Sequence, residues 1–271
     1  MIRFTQVNMN KTALITGASG GIGLELVKIH AAKGDDLVLV ARSGGKLRNL
    51  KAELESKYNI KVHTIDKDLS VAHASREVYN EIKEKGISVY YLINNAGFGD
   101  YGLFAECDWE KQERMINLNI TALAYLTRLI LPDMIAMGGG KIMNLASTAA
   151  FQPGPTMSVY FATKAFVLSF SEALNNEVRD KGITVTALCP GSTESSFHAV
   201  VLDNPNLVEN RKKASAADVA QFGYRAMMKG IPVAIPGFMN SLMAFMVRFF
   251  PREFIVKMAR YVQEKKLFHS V

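Results

Sequence analysis

The sequence alternates short apolar runs with longer stretches of helical spacing, and this alternation continues through most of its 271 residues. Continuous runs of Val, Ile and Leu are typical of parallel strands that are covered on both faces. Parallel strands need crossover connections, which the intervening helical stretches can supply. The pattern therefore predicts an α/β fold, a doubly wound and mostly parallel sheet of about seven strands with helices on both faces. The predicted strands are residues 12–16, 37–41, 61–65, 89–93, 141–146, 183–188 and 232–235.

The helical stretches differ in how they begin and end. Pro132 lies within a long stretch and is expected to kink or end it, because proline lacks the N–H of a helical hydrogen bond. Ser215 is a predicted cap, with Asp218 three residues later in a near capping box. The predicted helices are residues 24–32, 45–57, 72–85 and 108–137, one that carries Tyr160 and ends near residue 180, and one that opens at Ser215.

Composition and charge exclude several classes of protein. Hydrophobic residues make up 49% of the chain, so one domain with a substantial core is expected. Cys107 and Cys189 have no metal-ligand spacing, so neither a disulfide scaffold nor a metal site is expected, and the compartment should be reducing. The net charge of +7 is spread along the chain without a basic helix or stacking motif, which argues against nucleic acid. With no signal-peptide core at the N-terminus and no apolar run near the ~20 residues of a membrane span, we expect a soluble, cytoplasmic protein.

A glycine-rich segment, GASGGIG, directly follows the first predicted strand. Gly17, Gly21 and Gly23 allow a tight turn and a close approach of the backbone to a phosphate. The free N–H groups at the start of the next helix add partial positive charge for a pyrophosphate. Strand, glycines and helix in this order indicate a dinucleotide site in a Rossmann-like fold, although the spacing differs from Gly-x-Gly-x-x-Gly.

A second segment, STAAFQPGPTMSVYFATK at residues 147–164, indicates acid–base chemistry. Ser147 follows a predicted strand, and Tyr160 and Lys164 lie four apart on a predicted helix, which places the phenol and the ammonium on one face. A fixed cation beside a phenol favours its ionised form and improves it as a proton shuttle. Two other pairs have this spacing but no strand-borne hydroxyl upstream, and we interpret them as surface pairs: Tyr79 with Lys83, and Tyr261 with Lys265.

Between residues 10 and 237 these motifs resemble those of the short-chain dehydrogenase/reductase family, in its single-domain type. The resemblance rests on their joint occurrence in one order, and it extends to the branch with hydroxysteroid dehydrogenases and 3-ketoacyl reductases. Epimerase-like relatives with a longer substrate domain are less similar. The motifs are TGASGGIG at 16–23, Asp68 in KDL, NNAG at 94–97, Asn119 in NIT, Ser147, Tyr160 with Lys164, and PG at 190–191.

The resemblance implies an oxidoreductase that acts on CH–OH donors with NAD(P) and interconverts a carbonyl and an alcohol. Tyr160 would transfer a proton to or from the substrate oxygen as hydride moves to or from the nicotinamide, and Ser147 would hold that oxygen. Lys164 would bind the nicotinamide ribose and lower the pKa of Tyr160. Asn119 would hold a water that links Lys164 to solvent. The catalytic residues implied are therefore Asn119, Ser147, Tyr160 and Lys164.

The resemblance also implies a set of cofactor contacts, in which Asp68 faces the adenine and the NNAG backbone borders the adenosine ribose. Family members have a threonine four residues after the glycine of the PG motif. This chain has Ser195 there and Thr193 two residues earlier, so either hydroxyl could meet the carboxamide. The implied contacts are Gly17, Ser19, Gly20, Gly21, Ile22, Gly23, Arg42, Ser43, Asp68, Leu69, Asn95, Ala96, Gly97, Tyr160, Lys164, Pro190, Gly191, Thr193 and Ser195.

The residues at the end of the second predicted strand indicate that the cofactor is NADP(H). A carboxylate there would accept from the ribose 2′-OH of NAD and repel a 2′-phosphate, but this chain has Ala41. Arg42 follows at once, with Ser43 and Lys46 close by, and a guanidinium fork suits a phosphate.

The Met- and Phe-rich end of the chain is not needed to bind a nucleotide. We expect residues 1–237 to form the dinucleotide-binding catalytic domain, with a substrate lid near 192–214, and 238–271 to form a helical extension of it rather than an independent domain. Apolar residues in the lid and the extension predict an apolar substrate, such as a ketosteroid or a 3-oxoacyl compound.

The extension could have three roles. It could cap the cleft, bind a second subunit in a homodimer or homotetramer, or lie on a membrane surface, and we favour the first two. Two alternatives to a soluble enzyme follow: a non-catalytic NADP(H)-binding regulatory protein, and a reductase that associates with a membrane surface.

Overall fold

The computed structural model of the protein describes residues 11–194 and 214–268. All seven strands found in these ranges are parallel, and they form one sheet. Every predicted strand lies within one residue of its observed bounds, so the predicted doubly wound sheet is confirmed. The strands are β1 (Thr12–Thr16), β2 (Asp36–Ala41), β3 (Val62–Asp66), β4 (Val89–Asn94), β5 (Gly140–Leu145), β6 (Ile183–Leu188) and β7 (Val233–Ala234).

The strand order is β3-β2-β1-β4-β5-β6-β7, so the chain reverses direction across the sheet between β1 and β4. In open α/β sheets, ligands bind outside the carboxyl ends of the strands at such a reversal. The helices that connect the strands are α1 (Gly21–Ala32), α2 (Gly44–Lys57), α3 (Ala74–Glu84), α4 (Trp109–Ile116), α5 (Leu123–Ala136), α6 (Ser158–Val178) and α7 (Ala216–Met228).

Two apolar cores lie on the two faces of the sheet. Alternate residues of each strand point to opposite faces, so Ile15 belongs to one core and Leu14 to the other. The first core contains Leu26 of α1 and Leu47 of α2. The second contains Val78 of α3 together with buried residues of α5 and α6. The strands are therefore apolar on both sides, as their continuous hydrophobic runs predicted.

The predicted helix at 108–137 is divided, and Pro132 does not end it. α4 passes through a π-helical segment, Asn117–Ala122, into α5. Pro132 lies inside α5, which continues to Ala136. The sequence analysis expected Pro132 to kink or end the helix, and the expectation that the helix ends there is wrong. The irregular, π-helical turn ends ten residues before Pro132. Turns of this kind are frequent at functional sites.

The stretch Trp109–Ala136 is long and apolar enough to cross a membrane by length and composition, contrary to the sequence expectation. Ala122, Leu126 and Ile130 of this stretch are buried in the second core. A helix that packs on a sheet needs an apolar face, so this burial accounts for the composition of the stretch.

Two further helices form the C-terminal part of the chain, α8 (Phe238–Met246) and α9 (Arg252–Phe268), as expected for residues 238–271. Ser215 caps α7, since its side chain accepts from the backbone N–H of Asp218 at 3.0 Å. Most of the predicted lid at 192–214 lies outside the described residues.

Candidate active site

The glycine turn after β1 is fixed by a side chain that comes from the end of β4. The Asn95 side-chain amide donates to the carbonyl oxygens of Thr16 and Gly17 at 2.9 and 3.2 Å. Gly17 has φ +65, and a Cβ there would lie 2.7 Å from Asn95 Nδ2. Only glycine fits this backbone conformation without displacing the amide. The turn and the NNAG motif therefore form one unit.

Thr16 completes this unit, and the sequence analysis did not assign it a role. Its hydroxyl accepts from the backbone N–H groups of Asn95 and Ala96, both at 3.0 Å. The side chain is 3% exposed, so these bonds are shielded from water. Its place at the start of TGASGGIG, immediately before the first glycine, is the signal that could have identified it.

The helix after the turn begins three residues earlier than predicted, at Gly21 rather than at residue 24. Its cap, Gly20, contributes no side-chain hydrogen bond, and the first turn contains no acidic residue. The N–H groups of this turn are therefore free of competing side chains. Gly23 instead packs against the glycine turn, because a Cβ at Gly23 would lie 2.3 Å from the Gly17 carbonyl oxygen.

Positive side chains lie at the carboxyl end of β2. Arg42 and Lys46 line the cleft beside Ala41. Because residue 41 is an alanine and not a carboxylate, it does not repel a 2′-phosphate. Asp68, across the cleft, accepts from the Ser70 hydroxyl at 2.7 Å and from Arg114 Nη2 at 2.9 Å. Burial alone would raise the pKa of Asp68, but the Ser70 hydrogen bonds and the charges of Arg42 and Arg114 hold this pKa below its usual value.

Asn119 lies in the π-helical segment and is 1% exposed. Its amide donates to the Phe98 carbonyl at 2.9 Å and to the Thr163 hydroxyl at 3.0 Å, and its oxygen accepts from the Phe98 N–H at 3.2 Å. Thr163 lies next to Lys164 on α6. Asn119 therefore ties the loop after β4 to helix α6 through a contact with Thr163 that the sequence did not indicate.

Ser147, Tyr160 and Lys164 meet at the carboxyl end of β5. The Ser147 side chain forms a hydrogen bond with Tyr160 and accepts from the Ala149 N–H at 3.1 Å. Lys164 Nζ donates to the Leu145 carbonyl oxygen at 2.7 Å and lies 5.8 Å from the centroid of the Tyr160 ring. The strand-borne hydroxyl, the phenol and the ammonium are thus brought together as the sequence predicted.

The pKa of Tyr160 differs from the sequence expectation. Burial raises it to about 12, although the hydrogen bond with Ser147 acts in the opposite direction. Burial also lowers the pKa of Lys164 to about 8. Lys164 was expected to lower the pKa of Tyr160, but its ammonium bonds to the Leu145 carbonyl and is not among the groups that shift the pKa of Tyr160 in this structure. The phenol is therefore neutral at pH 7 in this structure.

Most of the predicted site residues line one cleft of about 1210 Å³. Of the predicted site residues within the described ranges, Gly23 and Asn119 lie behind its surface and support residues that line it. Thr193 lines the cleft, whereas Ser195 lies outside the described residues. The predicted residues that line the cleft are Gly17, Ser19, Gly20, Gly21, Ile22, Arg42, Ser43, Asp68, Leu69, Asn95, Ala96, Gly97, Ser147, Tyr160, Lys164, Pro190, Gly191 and Thr193.

The C-terminal helices form another wall of the same cleft, which is one of the roles that the sequence left open for the extension. Asn240 of α8 packs on the PG motif, since a Cβ on Gly191 would lie 2.8 Å from its Nδ2 atom. Within residues 11–194 and 214–268 no group of three or more His, Cys, Asp or Glu could hold a metal ion. The C-terminal residues that line the cleft are Asn240, Met243, Ala244, Val247, Ile255, Met258, Ala259, Val262 and Gln263.

Residues 11–205 match the model of the short chain dehydrogenase family. Because this match covers most of the chain, the protein belongs to that family, as its motifs predicted. It is an enzyme of the oxidoreductase class.

Three similar proteins illustrate the relationship. The very-long-chain 3-oxoacyl-CoA reductase of Rattus norvegicus is 30% identical over 250 residues, which are 89% of this chain and 78% of the relative. A short-chain dehydrogenase from Sphingobium yanoikuyae in complex with NADPH has a TM-score of 0.76 and 31% identity, with 89% of this chain and 97% of that chain covered. The bulky-bulky ketone specific alcohol dehydrogenase from Comamonas testosteroni has a TM-score of 0.76 and 30% identity, with 88% and 92% covered.

The buried ammonium generates a prediction about stability. The pKa of Lys164 is lowered from 10.5 to about 8 in the folded protein, so between these pH values the unfolded chain binds more protons and stability rises with pH. We expect the free energy of unfolding of wild type, relative to Lys164→Met, to rise through this window by on the order of 2–3 kcal/mol. Chemical unfolding of both proteins from pH 7 to 10.5 measures this difference. A difference that is constant with pH would contradict the lowered pKa.

Proposed function

We propose that the protein interconverts a ketone and a secondary alcohol with NADP(H), and that Tyr160 transfers the proton. The observation that supports this most directly is the hydrogen-bonded pair of Ser147 and Tyr160. The pair lies in one cleft between the glycine turn and an apolar wall. Such a cleft can hold a dinucleotide and an apolar substrate side by side.

The residues present fit NADP(H). The cradle of Gly17 and Gly23 has no room for a Cβ, and the N-terminus of α1 offers free N–H groups to a pyrophosphate. Arg42 and Lys46 supply positive charge for a 2′-phosphate. A similar protein with 31% identity is in complex with NADPH, which supports the same choice here. Bound NADP(H) supplies or accepts the hydride.

The chain's own residues hold the substrate oxygen and move its proton. Because the Ser147 hydroxyl and the Tyr160 phenol are hydrogen-bonded to each other and both line the cleft, a carbonyl oxygen placed beside them can accept from both. Because the pKa of Tyr160 is raised to about 12, the phenol keeps its proton at pH 7 and can donate it as negative charge develops on that oxygen. Lys164 and Asn119 fix the position of α6 beneath them.

The substrate is an apolar carbonyl compound. Met243, Val247, Met258 and Val262 line the cleft, and these apolar side chains favour hydrocarbon over a polar sugar. The names of two similar proteins, a very-long-chain 3-oxoacyl-CoA reductase and an alcohol dehydrogenase specific for bulky ketones, point to the same class. A non-catalytic regulatory protein would not need the Ser147–Tyr160 pair.

We also propose that the protein is cytoplasmic and homo-oligomeric, with the surface of α8, its connection to α9, and α9 itself contributing to the interface. Large apolar side chains are concentrated there, including Phe238 and Phe249, which are 81% and 65% exposed. A patch of this kind is typical of a binding surface. Two basic side chains of α9, Lys257 and Arg260, are paired with Glu253 and Glu264 and are thus partly satisfied within the helix. We favour a second copy of the chain over anionic lipid as the partner of this surface.

Removing the Tyr160 hydroxyl tests the catalytic assignment. We expect Tyr160→Phe to lower kcat by about 10²–10⁴-fold, the usual contribution of a general acid, while NADPH still binds. Tyr79→Phe is a matched control, because Tyr79 also precedes a lysine by four residues but donates to Asp133 at 3.1 Å away from the cleft. Near-normal turnover by Tyr160→Phe with a ketone substrate would refute the mechanism.

The cofactor preference depends on Arg42. We expect Arg42→Leu to weaken NADPH binding by roughly 10- to 100-fold, the weight of a charge-assisted hydrogen bond, and to leave NADH binding nearly unchanged. Fluorescence titration gives both dissociation constants. Lys51→Gln, on an exposed part of α2 outside the cleft, should change neither. Tighter binding of NADH than of NADPH by wild type would exclude the preference.

The interface is tested with a single exposed phenylalanine. We expect Phe249→Ser to lower the mass measured by light scattering, because it removes an apolar contact from the interface. Phe104→Ser is the control, since Phe104 is 60% exposed but lies outside the C-terminal surface. If Phe249→Ser keeps the wild-type mass but no longer sediments with anionic vesicles that wild type binds, the surface is a membrane contact instead.

A further inference from the structure

The wall formed by α9 contains one polar side chain among apolar ones. Residues at 255, 258, 259, 262 and 263 recur at intervals of three and four, so they share the helix face that lines the cleft. Four of them are Ile, Met, Ala and Val. The fifth, Gln263, lies at the end of this face and is only 7% exposed.

The protein itself does not satisfy the Gln263 amide. No residue in the ranges 11–194 and 214–264 forms a hydrogen bond with this side chain, which has two N–H donors and one carbonyl acceptor. The amide atoms of Gln263 are not among the fully buried polar atoms that lack a partner, so they keep contact with the open space of the cleft. Because Gln263 lines the cleft, a molecule bound there is within its reach.

The surroundings of Gln263 specify the kind of group that it would bind. Charged side chains that line the cleft lie near the nucleotide turn, as Arg42 and Lys46 do, or beneath Tyr160, as Lys164 does. Among residues 238–264, whose side chains the structure describes, none of those that line the cleft is charged. A free carboxylate beside Gln263 would lose its hydration without gaining a counter-charge. A neutral carbonyl oxygen, in contrast, can accept from the amide N–H.

We propose that Gln263 binds a second, neutral carbonyl of the substrate, and that the preferred substrates are therefore neutral oxo esters or thioesters rather than simple ketones or free oxo acids. This inference rests on the proposed function, which places the reacting carbonyl at Ser147 and Tyr160. Met258 and Val262, on the same face of α9, contact the hydrocarbon part. Gln263 is then a specificity residue that does not take part in the proton transfer.

Three probes test the assignment: ethyl 3-oxodecanoate, 3-decanone, which lacks the ester, and 3-oxodecanoate, which carries a charge. Wild type should reduce the ester with the highest kcat/KM. Gln263→Met keeps the length of the side chain and removes the amide. We expect this substitution to lower kcat/KM for the ester about tenfold, which is the effect of losing one hydrogen bond. The kcat/KM for 3-decanone should stay within about twofold of the wild-type value. Glu264→Gln, next along α9 but outside the cleft lining, should keep the wild-type ratio.

Two results would overturn the proposal. The first is an equal loss for ester and ketone in Gln263→Met, which would mean that Gln263 only fills space in the wall. The second is a preference of wild type for the free oxo acid. Thermal unfolding shows whether the variant is folded, and its stability should be close to that of wild type because methionine keeps the length of the side chain.

A binding measurement separates this proposal from the proposed reaction. Calorimetry with the NADP⁺ complex should show that ethyl 3-hydroxydecanoate binds wild type about tenfold more tightly than Gln263→Met. If that holds while wild type reduces none of the probes, Gln263 keeps its role and the proposed reaction fails. If all probes are reduced but both proteins bind the hydroxy ester equally, or wild type does not bind it, the assignment of Gln263 fails.

Discussion

The site depends on the hydrogen bonds that join β1 and β4 where the strand order of the sheet reverses. Asn95 donates to Thr16 and Gly17, and the Thr16 hydroxyl accepts from two N–H groups after β4. Parallel strands can diverge at such a point, and these bonds keep their ends together while the following chains turn to opposite faces. The glycine turn is therefore rigid before any ligand binds, which lowers the entropy that binding must overcome.

A second set of contacts places the acid–base groups. Ser147 follows β5, Tyr160 and Lys164 lie on α6, and Asn119 comes from the π turn before α5. Asn119 is bonded to Thr163 and Phe98, so the helix with the catalytic pair is held against the loop after β4. The same burial that orders the pair removes its hydration, which keeps the phenol protonated and makes the ammonium easier to deprotonate.

In the proposed function, the C-terminal helices select the substrate. The nucleotide end of the cleft is polar and charged, whereas α8 and α9 contribute Met, Val and Ile with Gln263 as a buried polar group. Residues that bind the cofactor must match a fixed chemical structure, but the residues of α8 and α9 that line the cleft can differ between enzymes with different substrates. Recognition of one neutral oxo compound over another is therefore expected to depend on α9 more than on the strands.

The sequence by itself determined the sheet, the glycine turn and the Ser147, Tyr160 and Lys164 set, because these depend on local spacing: apolar runs, glycines after a strand, and residues four apart on a helix. It also predicted Arg42 as the cation that follows β2. Only the tertiary structure decided the rest. The bonds of Thr16 and Thr163 join residues distant in sequence, and the side chains of α9 line the cleft because of how the helix packs. The raised pKa of Tyr160 follows from burial, which local spacing does not specify.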